Sequence, residues 1–228
     1  MNRGNTPWGL YLRNGVARRS SHLGERLGWH WLTYNPFVMA MFHGIAVAQA
    51  PAVCAEVAAT FPGRSRFLDV GAGSGAFAAE FARRGKHVLA LEYSSHGRRI
   101  ARRQGVGCCP LDLRRAPPAE IDGSYDLAYC FEVAEHLAPD LGDALVAFLA
   151  SAAPVVIFTA ARPGQGGTGH VNEQPREYWL ERFTRGGMTF DEAASGELAG
   201  RIRARKTAPC YYENMLVLRA GHRVSSAC

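Results

Sequence analysis

The sequence predicts an α/β fold in which a mostly parallel sheet is covered by helices on both faces. From Arg66 onward, short apolar runs alternate with helical ones, the pattern of successive βα units. The apolar runs show little of the alternation that a half-wet sheet would impose, so both faces are expected to be covered. With 228 residues, 47% hydrophobic and 20% charged, the chain supports one sizeable core, which excludes a disordered or fibrous protein.

The first 60 residues are rich in aromatics (Trp8, Tyr11, Trp29, Trp31, Tyr34, Phe37, Phe42) and lack strand alternation, so they read as a helical preface. Within them Phe37–Ala55 carries no Asp, Glu, Lys or Arg and approaches the ~20 residues needed to span a bilayer. It contains His43, Gly44, Gln49 and Pro51, and reads as a buried helix pair broken near Pro51 rather than a membrane span. Strands are then expected at Arg66–Val70, His87–Glu92, Val106–Leu111, Tyr125–Phe131 and Val155–Ala160. Helices are expected at Ala76–Arg84, His96–Gln104, Leu141–Ala152 and Arg176–Arg185, with Met188–Ala193 and Asn214–Arg219 closing the pattern. The division is a helical extension over 1–60 that helps close a pocket, a ligand-binding domain over 61–220 and a tail over 221–228.

Lys plus Arg is 26 and Asp plus Glu is 20, a net charge of +6 spread along the chain, which suits anionic ligands without requiring nucleic acid. The six cysteines have no C-x-x-C spacing, which argues against a zinc knot and a disulfide scaffold. The N-terminus lacks an apolar segment followed by small residues, and a cytoplasmic enzyme is the expectation.

In such sheets ligands sit at the carboxyl ends of the strands, and the polar motifs fall there. Phe67–Ala76 runs from an apolar strand through Asp69 to Gly71, Gly73 and Gly75 and into a helix. Glycines let the backbone turn sharply and approach a ligand closely. Alone, this string also fits a dinucleotide fingerprint. Glu92 ends the second strand, Asp112 and Leu113 follow the third, and Glu132-Val133-Ala134-Glu135-His136 follows the fourth. After the fifth, the glycine-dense loop from Arg162 to Gln174 carries His170, Asn172 and Glu173 ahead of Tyr178 and Trp179, a polar surface suited to hydroxyl-rich compounds.

This succession over Arg64–Arg219 resembles the class I S-adenosylmethionine-dependent methyltransferases. The resemblance implies a seven-stranded Rossmann-like sheet and S-adenosyl-L-methionine as cofactor. It assigns the methionine part to Asp69, Gly71, Gly73 and Gly75, the ribose to Glu92 and the adenine to Asp112 with Leu113; Glu132 completes the set. The E-x-x-E-H string is similar to those of small-molecule methyltransferases, including quinone-biosynthesis enzymes, and of RNA 3′-end 2′-O-methyltransferases. It implies that Glu132, Glu135, His136 and a downstream histidine, here His170, hold a divalent metal ion. Positions i, i+3 and i+4 share one face of a helical turn, which would let the first three converge.

The expected reaction is O-methylation of a polar small molecule of saccharide or natural-product type, with His136 or His170 as base. Nucleic-acid 2′-O-methylation and a nucleotide-binding oxidoreductase are the alternatives. The chain lacks an added RNA-binding domain, and the oxidoreductase leaves Asp112 and Glu132 without a use.

Overall fold

The computed structural model describes residues 34–117, 121 and 124–221. Helix α1 (Pro36–Thr60) opens the described chain. It starts where Asn35 Oδ1 accepts from the N–H of Phe37 at 2.9 Å and of Val38 at 3.2 Å, with Pro36 in the first turn, where a missing N–H costs nothing. Then come β1 (Arg66–Val70), α2 (Ala76–Arg83), β2 (His87–Glu92), α3 (Ser95–Arg103) and β3 (Cys108–Pro110). After β4 (Leu127–Phe131) a 3₁₀ turn at Ala134–His136 leads to α4 (Pro139–Ala152) and β5 (Val155–Thr159). The chain ends with α5 (Arg176–Arg185), β6 (Met188–Phe190), α6 (Glu192–Ala204), α7 (Cys210–Glu213) and β7 (Leu216–Ala220).

The sheet has seven strands in the order β3-β2-β1-β4-β5-β7-β6. β1 to β5 pair in parallel, and β7 runs antiparallel between β5 and β6. The direction of winding reverses between β1 and β4, and the crevice above that switch point is where this architecture binds ligands. Alternation along β1 supplies both cores: Phe67 packs with Phe81 and Tyr129 on one face, while Leu68 and Val70 join Leu91, Cys130 and Leu145 on the other. The Phe67 and Phe81 rings meet edge-on at 4.9 Å, and truncating either to alanine would cost roughly 3–5 kcal/mol.

Three expectations are corrected. The helix pair broken near Pro51 is one continuous helix. Proline removes a single hydrogen bond there, and Ala50, Val53, Cys54 and Val57 beside it are buried in the core, so tertiary packing overrides the local penalty. The third strand is only Cys108–Pro110, because Val106 caps the preceding turn by donating to Ala101 O at 3.2 Å. The stretch after Phe190 is helical, since Asp191 accepts from Ala194 N at 2.9 Å and starts α6.

α1 is long and apolar enough to cross a membrane by length and composition. Its second half packs on α2 and α6, and buried Glu56 is held by Arg201 of α6 and by Arg205 at its C-cap, each Nε at 2.7 Å. Its first half leaves Phe37, Ile45 and Val47 exposed. Trp29 and Trp31 lie outside the described residues.

Candidate active site

A cavity opens at the carboxyl ends of β1, β2 and β4, walled by the first turns of α1. Glu92 anchors its floor: Oε2 accepts from Gly73 N at 2.7 Å and Oε1 from Ser94 N at 2.5 Å. A carboxylate has about four lone-pair sites, so both oxygens retain capacity for two hydroxyls. Burial pushes the Glu92 carboxyl up to about 7, against the lowering effect of the Ser94 and Gly73 N–H groups.

The glycines of the loop divide their work. Among the described residues a Cβ on Gly73 would meet nothing within 4 Å, so its absence keeps the cavity open. A Cβ on Gly71 would lie 2.5 Å from Val133 Cγ2, so Gly71 lets the β4 turn approach β1. Gly75 has no side chain because Ala101 of α3 fills the position, 2.7 Å from where a Cβ would stand.

Asp69, expected at the methionine end, is buried under the loop at 4% exposure and does not line the cavity. Burial raises its pKa to about 8, opposed by the Tyr129 hydroxyl, which favours the charged form without completing hydrogen-bond geometry. Asp112 and Leu113 do line the cavity. Asp112 is clasped by Arg114 through Nε at 2.8 Å and Nη2 at 3.0 Å, and Arg114 Nη2 also donates to the Tyr93 hydroxyl at 3.1 Å.

On the β4 side, Glu132 has φ +53°, an uncommon conformation for a residue with a side chain and costly by ~1–3 kcal/mol. Its N–H is held by Thr159 O and Oγ1, both at 3.1 Å. Its Oε2 accepts from Gln165 at 3.0 Å, and its carboxyl interacts with that of Glu135. Glu135, His136 and His170 do come together, with one ligand atom from each within 4.8 Å of the others; Glu132 is not in this group. Glu135 is fully buried with neither carboxyl oxygen hydrogen-bonded. Burial, then the Glu132 charge, pushes its pKa well above the carboxylate range, and burial raises Glu132 as well.

His136 Nδ1 lies 3.2 Å from Gly169 O, an atom that only accepts, so this nitrogen carries hydrogen and Nε2 offers a lone pair. Burial, then the His170 ring, lowers the His136 pKa to about 4, and the ring is therefore neutral near pH 7. The two imidazoles meet edge-on at 4.9 Å, with Tyr34 and Phe42 of the α1 side 6.0 and 6.2 Å from His136. Sequence reasoning missed His43, whose Nδ1 is 2.9 Å from Ser74 Oγ in the glycine loop. It also missed Thr159 and Gln165, because nothing local in the sequence marks them as partners of Glu132.

The residues fit the groups the resemblance implies. Leu91, Leu111, Leu113 and Leu137 give the cavity apolar walls between the acidic edges of Glu92 and Asp112, a shape suited to a purine nucleoside. An orphaned buried carboxyl with two imidazoles makes an oxygen and nitrogen donor set that first-row divalent ions accept.

Residues 43–197, more than half of the chain, match the family model described as a methyltransferase domain. Two ubiquinone biosynthesis O-methyltransferases are similar at 34% identity. That of Hahella chejuensis aligns over 101 residues, 42% of each chain. That of Bordetella parapertussis aligns over 171 residues, 68% of this chain and 66% of its own. The chain thus spans less than two thirds of these curated relatives. Among solved structures, the amino pentose methyltransferase CalS10 of Micromonospora echinaspora superposes with a TM-score of 0.55 at 21% identity, covering 77% of this chain and 91% of its own.

Proposed function

The chain belongs to the class I S-adenosylmethionine-dependent methyltransferases, and on that premise we propose that it methylates a hydroxyl oxygen of a small ring compound of saccharide or natural-product type. The observation that carries this is the pair of imidazoles, His136 with its proton committed to Gly169 O and His170 beside it, facing the rings of Tyr34 and Phe42. A basic nitrogen opposite an aromatic wall holds a hydroxylated ring by its face and reads its hydroxyl by its edge. The curated relatives are named as O-methyltransferases, which supports oxygen as the acceptor atom.

When bound, S-adenosylmethionine supplies a methyl group already activated on a sulfonium, so the chain's tasks are alignment and proton removal. Glu92 would accept from the ribose hydroxyls and Asp112 from the adenine amine, with the backbone at Gly71 and Gly73 on the methionine side. His136 receives the acceptor proton at Nε2. With the imidazole near pKa 4 and a phenol near ~10, full deprotonation in advance would lie about 8 kcal/mol uphill. Proton transfer therefore accompanies methyl transfer or follows acidification of the hydroxyl. Where Glu135, His136 and His170 hold a divalent ion, His136 Nε2 is its ligand rather than the base, and the ion would lower the hydroxyl pKa and fix its direction.

The test is methyl transfer to a panel of hydroxylated rings, sugars and phenols, with products identified by mass spectrometry. O-methyl ethers are the expected products. Exclusive N-methylation, or tight S-adenosylhomocysteine binding without transfer to any hydroxyl, would overturn the acceptor assignment.

A further inference from the structure

We propose that the loop from Gly164 to Glu173 is a clamp that fixes the tautomer of His170. Glu173 is the positioning residue, and Gly167 leaves the other ring nitrogen open to a ligand. The inference rests on the metal reading given above and adds to it the residues that prepare one of the ligands.

Glu173 gathers three donors that lie on the loop. Its Oε1 accepts from His170 Nδ1 and from Gly166 N, both at 2.7 Å, and its Oε2 accepts from Gly164 N at 2.9 Å. The side chains of His170 and Glu173 are only 12% and 20% exposed, so the contact is sheltered rather than a solvated surface pair. An ionised carboxylate only accepts, so Nδ1 carries the hydrogen, and in the neutral ring the lone pair must then be on Nε2.

That nitrogen is where Gly167 comes closest. A Cβ built on Gly167 would stand 2.2 Å from Nε2 and 2.4 Å from Cε1, so any side chain there would displace or cap the ring. Gly167 does not have a positive φ, and alanine would be acceptable to the backbone, which makes the missing methyl a matter of space around His170. The same loop supplies Gly169 O to His136 Nδ1 at 3.2 Å. One segment thus turns both imidazoles the same way, each with Nδ1 tethered and Nε2 unclaimed. Carboxylate or carbonyl partners behind a histidine raise its basicity and hold its direction, and removing such a partner costs about tenfold to a hundredfold in metal affinity.

The experiment is calorimetric titration of Mn²⁺ into the full chain for wild type, Glu173→Ala, Glu173→Gln and Gly167→Ala, with S-adenosylhomocysteine titrated into the same samples. Glu173→Ala is expected to weaken Mn²⁺ binding about tenfold to a hundredfold. Glu173→Gln should recover most of the loss, because its amide oxygen still accepts from Nδ1. Gly167→Ala should lose at least as much as Glu173→Ala, and S-adenosylhomocysteine affinity should stay unchanged in all three. Wild-type Mn²⁺ affinity in Glu173→Ala or in Gly167→Ala overturns the clamp. If the wild-type chain binds no Mn²⁺, Mg²⁺ or Zn²⁺, the metal reading fails and the clamp is decided by ¹⁵N NMR of the His170 ring. An Nδ1–H tautomer that becomes mixed in Glu173→Ala sustains it; an Nε2–H tautomer in wild type, or no change in the variant, overturns it.

Discussion

Gly73→Ala and Gly71→Ala separate ligand space from fold space within one loop. At Gly73 (φ +54°) the new methyl meets no atom of the described residues within 4 Å, so the fold loses only the left-handed backbone penalty of about 1–2 kcal/mol. The methyl instead occupies the cavity floor beside Glu92, and intrusion of one methyl into a filled site costs roughly 1–3 kcal/mol. S-adenosylhomocysteine affinity should therefore fall about 5- to 150-fold, since each 1.4 kcal/mol is tenfold. At Gly71 (φ +78°) the methyl would overlap Val133 Cγ2 at 2.5 Å and Cγ1 at 2.8 Å. The backbone and overpacking costs then add to about 2–5 kcal/mol of stability, and the displaced turn carries His136 with it. Titration calorimetry and thermal melts of both variants give the readout. Wild-type affinity in Gly73→Ala, or a Gly71→Ala chain as stable as Gly73→Ala, would refute this division.

Glu92→Ala should weaken cofactor binding by about 1.5–3 kcal/mol through lost charge-assisted hydrogen bonds, with Asp112→Ala milder because Arg114 already shares its carboxylate; calorimetry checks both. His136→Ala should lower kcat far more than it lowers S-adenosylhomocysteine affinity, and equal losses in the two would reject a role in the chemical step. Asp69 tests linkage. Its pKa rises from 3.8 to about 8 on folding, so its contribution to stability is full below pH 4 and lost as pH climbs through 8, at most roughly 5–6 kcal/mol. Asp69→Asn should accordingly gain stability relative to wild type between pH 5 and 9 in urea melts, and a parallel pH profile for the two chains would contradict the burial argument.

The strand-end acids were legible in the sequence because each needs only its own strand: Glu92 and Asp112 stand where the βα alternation puts them, on the cavity wall. Asp69 follows the same rule in sequence but faces Tyr129, because side chains alternate along β1 and the glycine turn begins only two residues later, after Val70. Glu132 was expected on a helical face with Glu135 and His136. Its positive φ, stabilised from Thr159 on the neighbouring strand, is a tertiary effect with no local signature. Pro51 read as a break for the converse reason, since the burial that keeps α1 intact comes from residues far along the chain.

The switch of winding between β1 and β4 has an evolutionary meaning. Glu92, Asp112 and the glycine loop belong to β1–β3, whereas His136, His170 and the clamp hang from β4 and β5. The two sets sit on separate loops from opposite halves of the sheet and meet where Val133 packs on Gly71, so only substitutions away from that contact are expected to combine nearly additively. On the proposed assignment, drift in the β4 and β5 loops alters the acceptor side while the residues assigned to the cofactor are kept. The same separation lets an engineer randomise 134–137 and 162–174 as one library while Val133, which packs on Gly71, is kept.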